Sequence, residues 1–60
     1  KGRTGKMKEK LIALINKTES IADLDEIMYM IEELYHFEII GQTEYIKTIS
    51  RAIDRKDELQ

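Results

Sequence analysis

Apolar residues recur at intervals of three and four along three stretches of this chain, and this spacing constrains its fold more than any other feature. Such intervals place side chains on one face of an α-helix, whereas a half-buried strand requires strict alternation. Breaks near residues 17–20 and 38–43 separate the stretches, and the chain has no Pro. The spacing predicts an all-α, compact three-helix domain without strands, with helices at about 6–17, 20–39 and 44–57.

Particular residues at the ends of the chain and at the two breaks predict where the helices begin and end. Two Gly residues in 1–5 predict a flexible basic lead, so the domain covers 6–57, and residues 58–60 are expected to form a frayed tail. Ser20 is a good N-cap for the second helix. Gly41 is expected to take the positive φ that ends this helix, and Thr43 to cap the third.

Each helix has a predicted apolar stripe, and the stripe of the second helix is the widest. We expect helix two to be the central element of the domain. The stripes consist of Met7, Leu11, Leu14 and Ile15 in helix one, of Ile21, Leu24, Ile27, Met28, Ile31, Leu34, Tyr35 and Ile39 in helix two, and of Tyr45, Ile46, Ile49, Ala52 and Ile53 in helix three.

A side ridge on the second helix predicts self-association. Met30, Leu34 and Phe37 widen its apolar arc to about 200° at 100° per residue, more than one neighbouring helix covers. A chain of this size buries only about 60% of its unfolded surface, and without Cys it has no disulfide to stabilise it. We therefore expect a homodimer that completes the core, with these three residues near its two-fold contact.

Charge is divided along the chain by sign. Residues 1–17 have six basic side chains and one acid, whereas residues 18–38 have seven acids and no Lys or Arg. The two segments should attract each other, either within one domain or between two.

The basic residues also suggest an alternative, a dimeric DNA-binding domain of bacterial or phage type. Lys47, Arg51 and Arg55 follow at i, i+4 and i+8 on the last helix, and a second row on helix one consists of Lys6, Lys10 and Lys17. However, Glu44, Asp54 and Glu58 each lie three residues from a member of the helix-three stripe, a pattern typical of a solvated helix face.

No residue pattern indicates catalysis, a cofactor or a metal. Ser20 and Ser50 have no basic partner that their spacing would bring close, and His36 is the only histidine in a chain without Cys. A surface position beside Glu32 and Glu33 accounts for His36, and Tyr29 on the same helix face is expected to be an exposed contact residue.

No apolar run approaches the ~20 residues of a membrane-spanning helix, so we expect no membrane segment. A cytoplasmic location is expected, either for the chain alone or as the soluble part of a longer protein.

Residues 34–47 resemble the helix–turn–helix hairpin of the short C-terminal (SHOCT-like) domains, in which a Leu-rich helix leads through a turn of the form Gly-x-Ile-Thr-x-x-Glu-Phe/Tyr into a Lys-containing helix. The matching positions are Leu34, Ile39, Glu44, Tyr45 and Lys47. Phe37 stands where that pattern has Gly, and Ile40 where it has Thr. The resemblance implies an interaction or oligomerisation hairpin rather than an activity.

The leading interpretation is a non-enzymatic interaction and oligomerisation domain, a regulatory or adaptor module that contacts itself and a protein partner. Nucleic-acid binding is the alternative.

Overall fold

The computed structural model describes residues 3–60, with side chains from Lys6 onward, and contains three helices. They are α1 (Arg3–Lys17), α2 (Ile21–His36) and α3 (Gln42–Leu59), and the described residues include no strand. The predicted all-α, three-helix fold is confirmed.

The outer ends of the first and last helices extend beyond their predicted bounds. Residues 3–5 continue α1, since one Gly costs a helix only about 1 kcal/mol, while Lys1 and Gly2 of the predicted lead lie outside the described residues. At the other end, α3 continues to Leu59, which packs against the core. The Gln60 N–H reaches the carbonyls of Lys56 and Asp57, each at 3.2 Å. Packing of Leu59 thus holds the predicted frayed tail in the helix.

Ser20 caps α2, as the sequence indicates. Its backbone is extended, and its hydroxyl oxygen accepts a hydrogen bond from the Asp23 N–H at 3.3 Å. Asp23 itself lies in the first turn, where the helix dipole favours a negative charge. At the end of α1, the Thr18 hydroxyl donates to the Leu14 carbonyl at 2.8 Å.

The second helix ends at His36, three residues before its predicted end, in a Schellman turn. The Ile39 N–H donates to the Leu34 carbonyl at 2.8 Å, and the Glu38 N–H donates to the Tyr35 carbonyl at 3.0 Å. Glu38 takes the left-handed conformation, with φ of 63°, that such a turn requires.

Gly41 and Thr43 do not have their predicted roles. Gly41 has an ordinary φ of −85° and is itself the N-cap of α3, with its carbonyl accepting from the Tyr45 N–H at 2.9 Å. Thr43 therefore lies inside α3. The chain turns at Glu38 and not at Gly41, because the Schellman hydrogen bonds already end α2 there.

The conformation of Glu38 leads to a stability prediction. Glu38→Gly should stabilise the domain by about 0.5–1 kcal/mol, because Gly takes positive φ without a Cβ clash, although it gains freedom in the unfolded chain. Urea denaturation followed by circular dichroism measures the change. Glu38→Ala is the control, since it removes the charge but keeps the Cβ. Equal effects of Gly and Ala would show that charge, not backbone strain, dominates at this position.

The core lies where α1 and α2 pack on α3, whereas α1 and α2 have few contacts with each other. Two small residues on α3, Thr48 and Ala52, are fully buried and allow both neighbours to approach closely. The Thr48 hydroxyl donates to the Glu44 carbonyl at 2.7 Å, so its burial leaves no unpaired polar group. In its contacts α3 is central, not α2 as predicted. The other buried residues are Leu11, Ile15, Leu24, Ile27, Ile31 and Ile40.

Five residues predicted to lie in apolar stripes are exposed instead: Leu14, Tyr35, Ile39, Ile46 and Ile53. Ile46 and Ile53 are 52% and 51% exposed, because the inward face of α3 is centred on Thr48 and Ala52. Ile39 is 55% exposed, since the chain leaves the helix before it, and Ile40 enters the core in its place. The domain thus leaves much of its apolar side-chain surface in solvent.

Candidate interaction surfaces

Arg51, from the predicted basic stripe of α3, is bound to neighbouring groups. Its Nε donates to Asn16 Oδ1 in α1 at 2.7 Å, and its Nη1 lies 3.3 Å from Glu58 Oε2. Asn16 and Arg51 are thirty-five residues apart in the chain, so this hydrogen bond joins α1 to α3.

Arg55 makes a second link of the same kind. Its Nε donates to the Thr18 carbonyl at 3.1 Å, just beyond the end of α1, and its Nη1 contacts Glu58 Oε1 at 3.1 Å. The hydrogen bonds from Arg55 and then Arg51 lower the pKa of Glu58. Both guanidinium groups therefore hold α3 to the end of α1, and the predicted i, i+3 pair of Arg55 with Glu58 is present.

The remaining candidate nucleic-acid residues are exposed lysines. Lys47 is exposed on α3, and Lys6, Lys10 and Lys17 are exposed on α1. Among the described side chains, the third ion pair joins Lys56 Nζ to Asp25 at 3.0 Å, between α3 and α2. Of the two predicted basic rows, only the one on α1 consists entirely of exposed side chains.

The three residues predicted at a dimer contact lie in different surroundings. Met30 is 39% exposed, Phe37 is 67% exposed, and Leu34 is half-buried against the core. The Phe37 ring contacts the His36 ring edge-on, with centroids 5.4 Å apart. These residues do not form one uniform ridge, and their role in a dimer stays a prediction.

An apolar groove runs between α1 and α2, where these helices have few contacts. It has a volume of about 350 Å³ and is lined by Leu14, Thr18, Asp23, Glu26, Ile27 and Met30. Leu14, expected in the core, is 40% exposed at this groove. Five consecutive apolar residues, 11–15, already make the apolar arc of α1 wider than a single helix contact covers. The width of this arc is the sequence feature from which the exposure of Leu14 could have been predicted.

Acidic side chains line this groove, and two lysines lie on the same helix face as Leu14. On α1, Lys10 and Lys17 lie four residues before and three residues after Leu14, and so share its face. On α2, Asp23 and Glu26 line the groove directly. None of the three ion pairs found among side chains 6–60 connects α1 with α2. The expected attraction between the basic and acidic segments therefore forms no ion pair within this part of the protomer.

An aromatic cleft lies on the other edge of α2, towards α3. Tyr35 and Tyr45 stack with ring centroids 4.4 Å apart and planes 19° apart. With Glu32, His36 and Glu38 they line an open cleft of about 530 Å³. Tyr35, expected to pack in the core, is 39% exposed.

A second, smaller cleft adjoins the first. It has a volume of about 300 Å³, shares Glu32 and His36 with the first cleft, and is also lined by Tyr29, Glu33 and Phe37. Tyr29 is 66% exposed, as expected of a contact residue. A hydrogen bond to the Glu33 carboxylate, together with its charge, raises the pKa of the Tyr29 hydroxyl.

No protein-family model, curated protein or solved structure matches this chain. The resemblance of residues 34–47 to a SHOCT-like hairpin thus stays a prediction. Within residues 3–60, no helix has the length and apolarity needed to cross a membrane. The same part of the chain contains no group of three or more His, Asp or Glu side chains placed to hold a metal ion.

Proposed function

We propose that this chain is a non-enzymatic interaction domain that forms a homodimer through the groove between α1 and α2. The observation that carries the proposal is the groove itself, in which apolar Leu14 and Met30 remain exposed between two helices that scarcely contact each other. A second copy packed there would remove this apolar surface from water, which is the main driving force for association.

The charges on the groove suit a two-fold dimer. In a symmetric interface the same surface patch occurs on both partners, so a surface must complement itself. A rotation that places the α1 of one copy along the α2 of the other brings Lys10 and Lys17 towards Asp23 and Glu26 at two equivalent places. A standard interface buries about 800 Å² per partner, less than a fifth of the 4356 Å² protomer surface.

As a dimer the domain would act as a regulatory or adaptor module. Its helices carry exposed side chains on the faces away from the groove, including Tyr29 and Phe37. Joining two such surfaces raises the effective affinity for a partner that engages both.

Sedimentation equilibrium over a range of protein concentrations tests the dimer. The mass should rise from the 7.1 kDa protomer towards twice that value. Lys10→Glu and Glu26→Lys should each weaken self-association about tenfold, because each places like charges together across the interface. An equimolar mixture of these two variants should recover association. In the heterodimer one charge pair has its two signs exchanged and the other pair is that of the parent protein, so both pairs are attractive.

Lys47→Glu is the matched control, an exposed lysine on α3 away from the groove, and should leave the mass unchanged. A mass that stays at the protomer value at every concentration, with cooperative unfolding, contradicts the dimer. If neither charge reversal changes the strength of self-association, the groove is not the surface through which the dimer forms.

Nucleic-acid binding is the second candidate, favoured by the exposed lysine row on α1. Arg51 and Arg55 have protein partners, so Lys6, Lys10 and Lys17 would supply most of the phosphate contacts. Fluorescence anisotropy of labelled duplex and single-stranded DNA distinguishes the candidates, because phosphate-driven binding weakens steeply between low and moderate salt. Absence of binding at low salt rejects this candidate.

A further inference from the structure

We propose that the cleft formed by Tyr35 and Tyr45 binds a Lys- or Arg-bearing segment of a protein partner. The cleft lies on the α3 side of α2, whereas the dimer groove lies on the α1 side, so both surfaces can be occupied together. The proposal does not depend on dimerisation.

The stacked tyrosines provide the apolar part of the site. Their centroids are 4.4 Å apart, and both rings line the cleft. Stacking covers the faces that the two rings turn to each other, so a cation would bind the outer face of Tyr35, which is 39% exposed and on which Arg in particular can stack flat. Because the pair joins α2 to α3, the rings are held in place before a partner arrives, which lowers the entropy cost of binding.

The charge around the rings complements a cation. Glu32 and Glu38 line the same cleft, and Glu33 lines the adjoining one. The chain has no Lys or Arg anywhere from Thr18 to Ile46, so no cation from this stretch competes for these carboxylates.

The shape of the site favours a peptide segment over a small free cation. Small-molecule sites usually enclose most of their ligand, whereas this cleft is open along its length. The neighbouring cleft continues past Glu32 and His36 to a second pair of aromatic side chains, Tyr29 and Phe37. A chain with basic side chains at two positions can use both clefts, and each carboxylate can accept a charge-assisted hydrogen bond.

A titration with a short peptide of Gly and Ser that carries two Arg residues tests the proposal. ¹H–¹⁵N spectra should shift at residues 32–38 and at Tyr45, and fluorescence anisotropy of the labelled peptide gives the affinity. Glu32→Gln and Tyr45→Leu should each weaken binding about tenfold, through loss of the ion pair and of the ring that holds Tyr35 in place.

Two matched variants separate the site from general charge attraction. Glu9→Gln makes the same change at an exposed position on α1 away from the cleft, and Tyr45→Phe keeps the ring, so both should bind within about twofold of the parent protein. Equal losses from Glu9→Gln and Glu32→Gln would overturn the proposal, as would shifts confined to α1. Glu32 is exposed, so its variant tests the site even if Tyr45→Leu fails to fold.

The same spectra identify a competing occupant. Shifts at Tyr35 and Tyr45 that appear when the protein alone is concentrated would assign the cleft to the basic α1 of a second copy. That result would overturn the assignment to a separate partner.

Discussion

Replacing Ile31 by alanine is expected to remove about half of this domain's stability. Ile31 is fully buried where α2 packs on the core, and truncating such a side chain costs about 2–5 kcal/mol. Domains have about 0.05–0.15 kcal/mol of stability per residue, so a chain of this length has only about 3–9 kcal/mol in total. Urea denaturation followed by circular dichroism at one fixed protein concentration measures the loss.

Ile53→Ala is the matched control, because it makes the same change in another helix at a side chain that is 51% exposed. Its cost should stay below about 1 kcal/mol, since little burial is lost and Ala has the higher helix propensity. Similar losses for the two variants would mean that the outer face of α3 is buried too. In that case Ile53 belongs to an interface, and its cost should grow with protein concentration.

The number and type of helices could be predicted from the sequence because helical periodicity is a local property. Apolar residues at intervals of three and four identified all three helices. The start of α2 was equally predictable, since the Ser20 cap involves only residues within one turn.

The choice of inward face in α3 was not predictable by counting large apolar residues. Thr48 and Ala52 face the core because small side chains let two helices approach α3, whereas Ile46 and Ile53 stay outside. That choice depends on how the three helices pack against one another, and the apolar stripe of a single helix carries no information about this packing.

The turn after α2 shows a second limit. Gly41 was the natural candidate for positive φ, yet Glu38 has it. The position of the left-handed residue depends on where α2 stops, and tertiary packing of Ile40 into the core decides that.

The basic stripe shows a third limit, this time at a candidate site. The pairing of Arg55 with Glu58 was predictable from i, i+3 spacing. The bonds to Asn16 and to the Thr18 carbonyl join residues more than thirty positions apart, so they follow only from the packing of α3 beside α1. Local spacing therefore predicts charge on a helix face, but not which of those charges the fold itself uses.

Replacing Leu14 by glutamate is expected to weaken self-association about a hundredfold or more. Leu14 lies in the groove between α1 and α2, where a second copy would bury it, and taking a carboxylate out of water there costs several kcal/mol even beside Lys10 and Lys17. A factor of one hundred corresponds to only about 2.8 kcal/mol. Sedimentation equilibrium of the variant over the same concentrations as the parent protein measures the change.

Ile46→Glu is the control for this prediction. It removes a branched apolar side chain of comparable exposure, 52% against 40% for Leu14, and adds the same charge on α3. Dissociation by Leu14→Glu alone supports the α1–α2 groove, because both variants alter exposed apolar surface and net charge equally. Dissociation by Ile46→Glu alone would instead place the contact on the outer face of α3, where Ile46 and Ile53 are exposed seven residues apart. Circular dichroism of each variant separates loss of the dimer from loss of the fold.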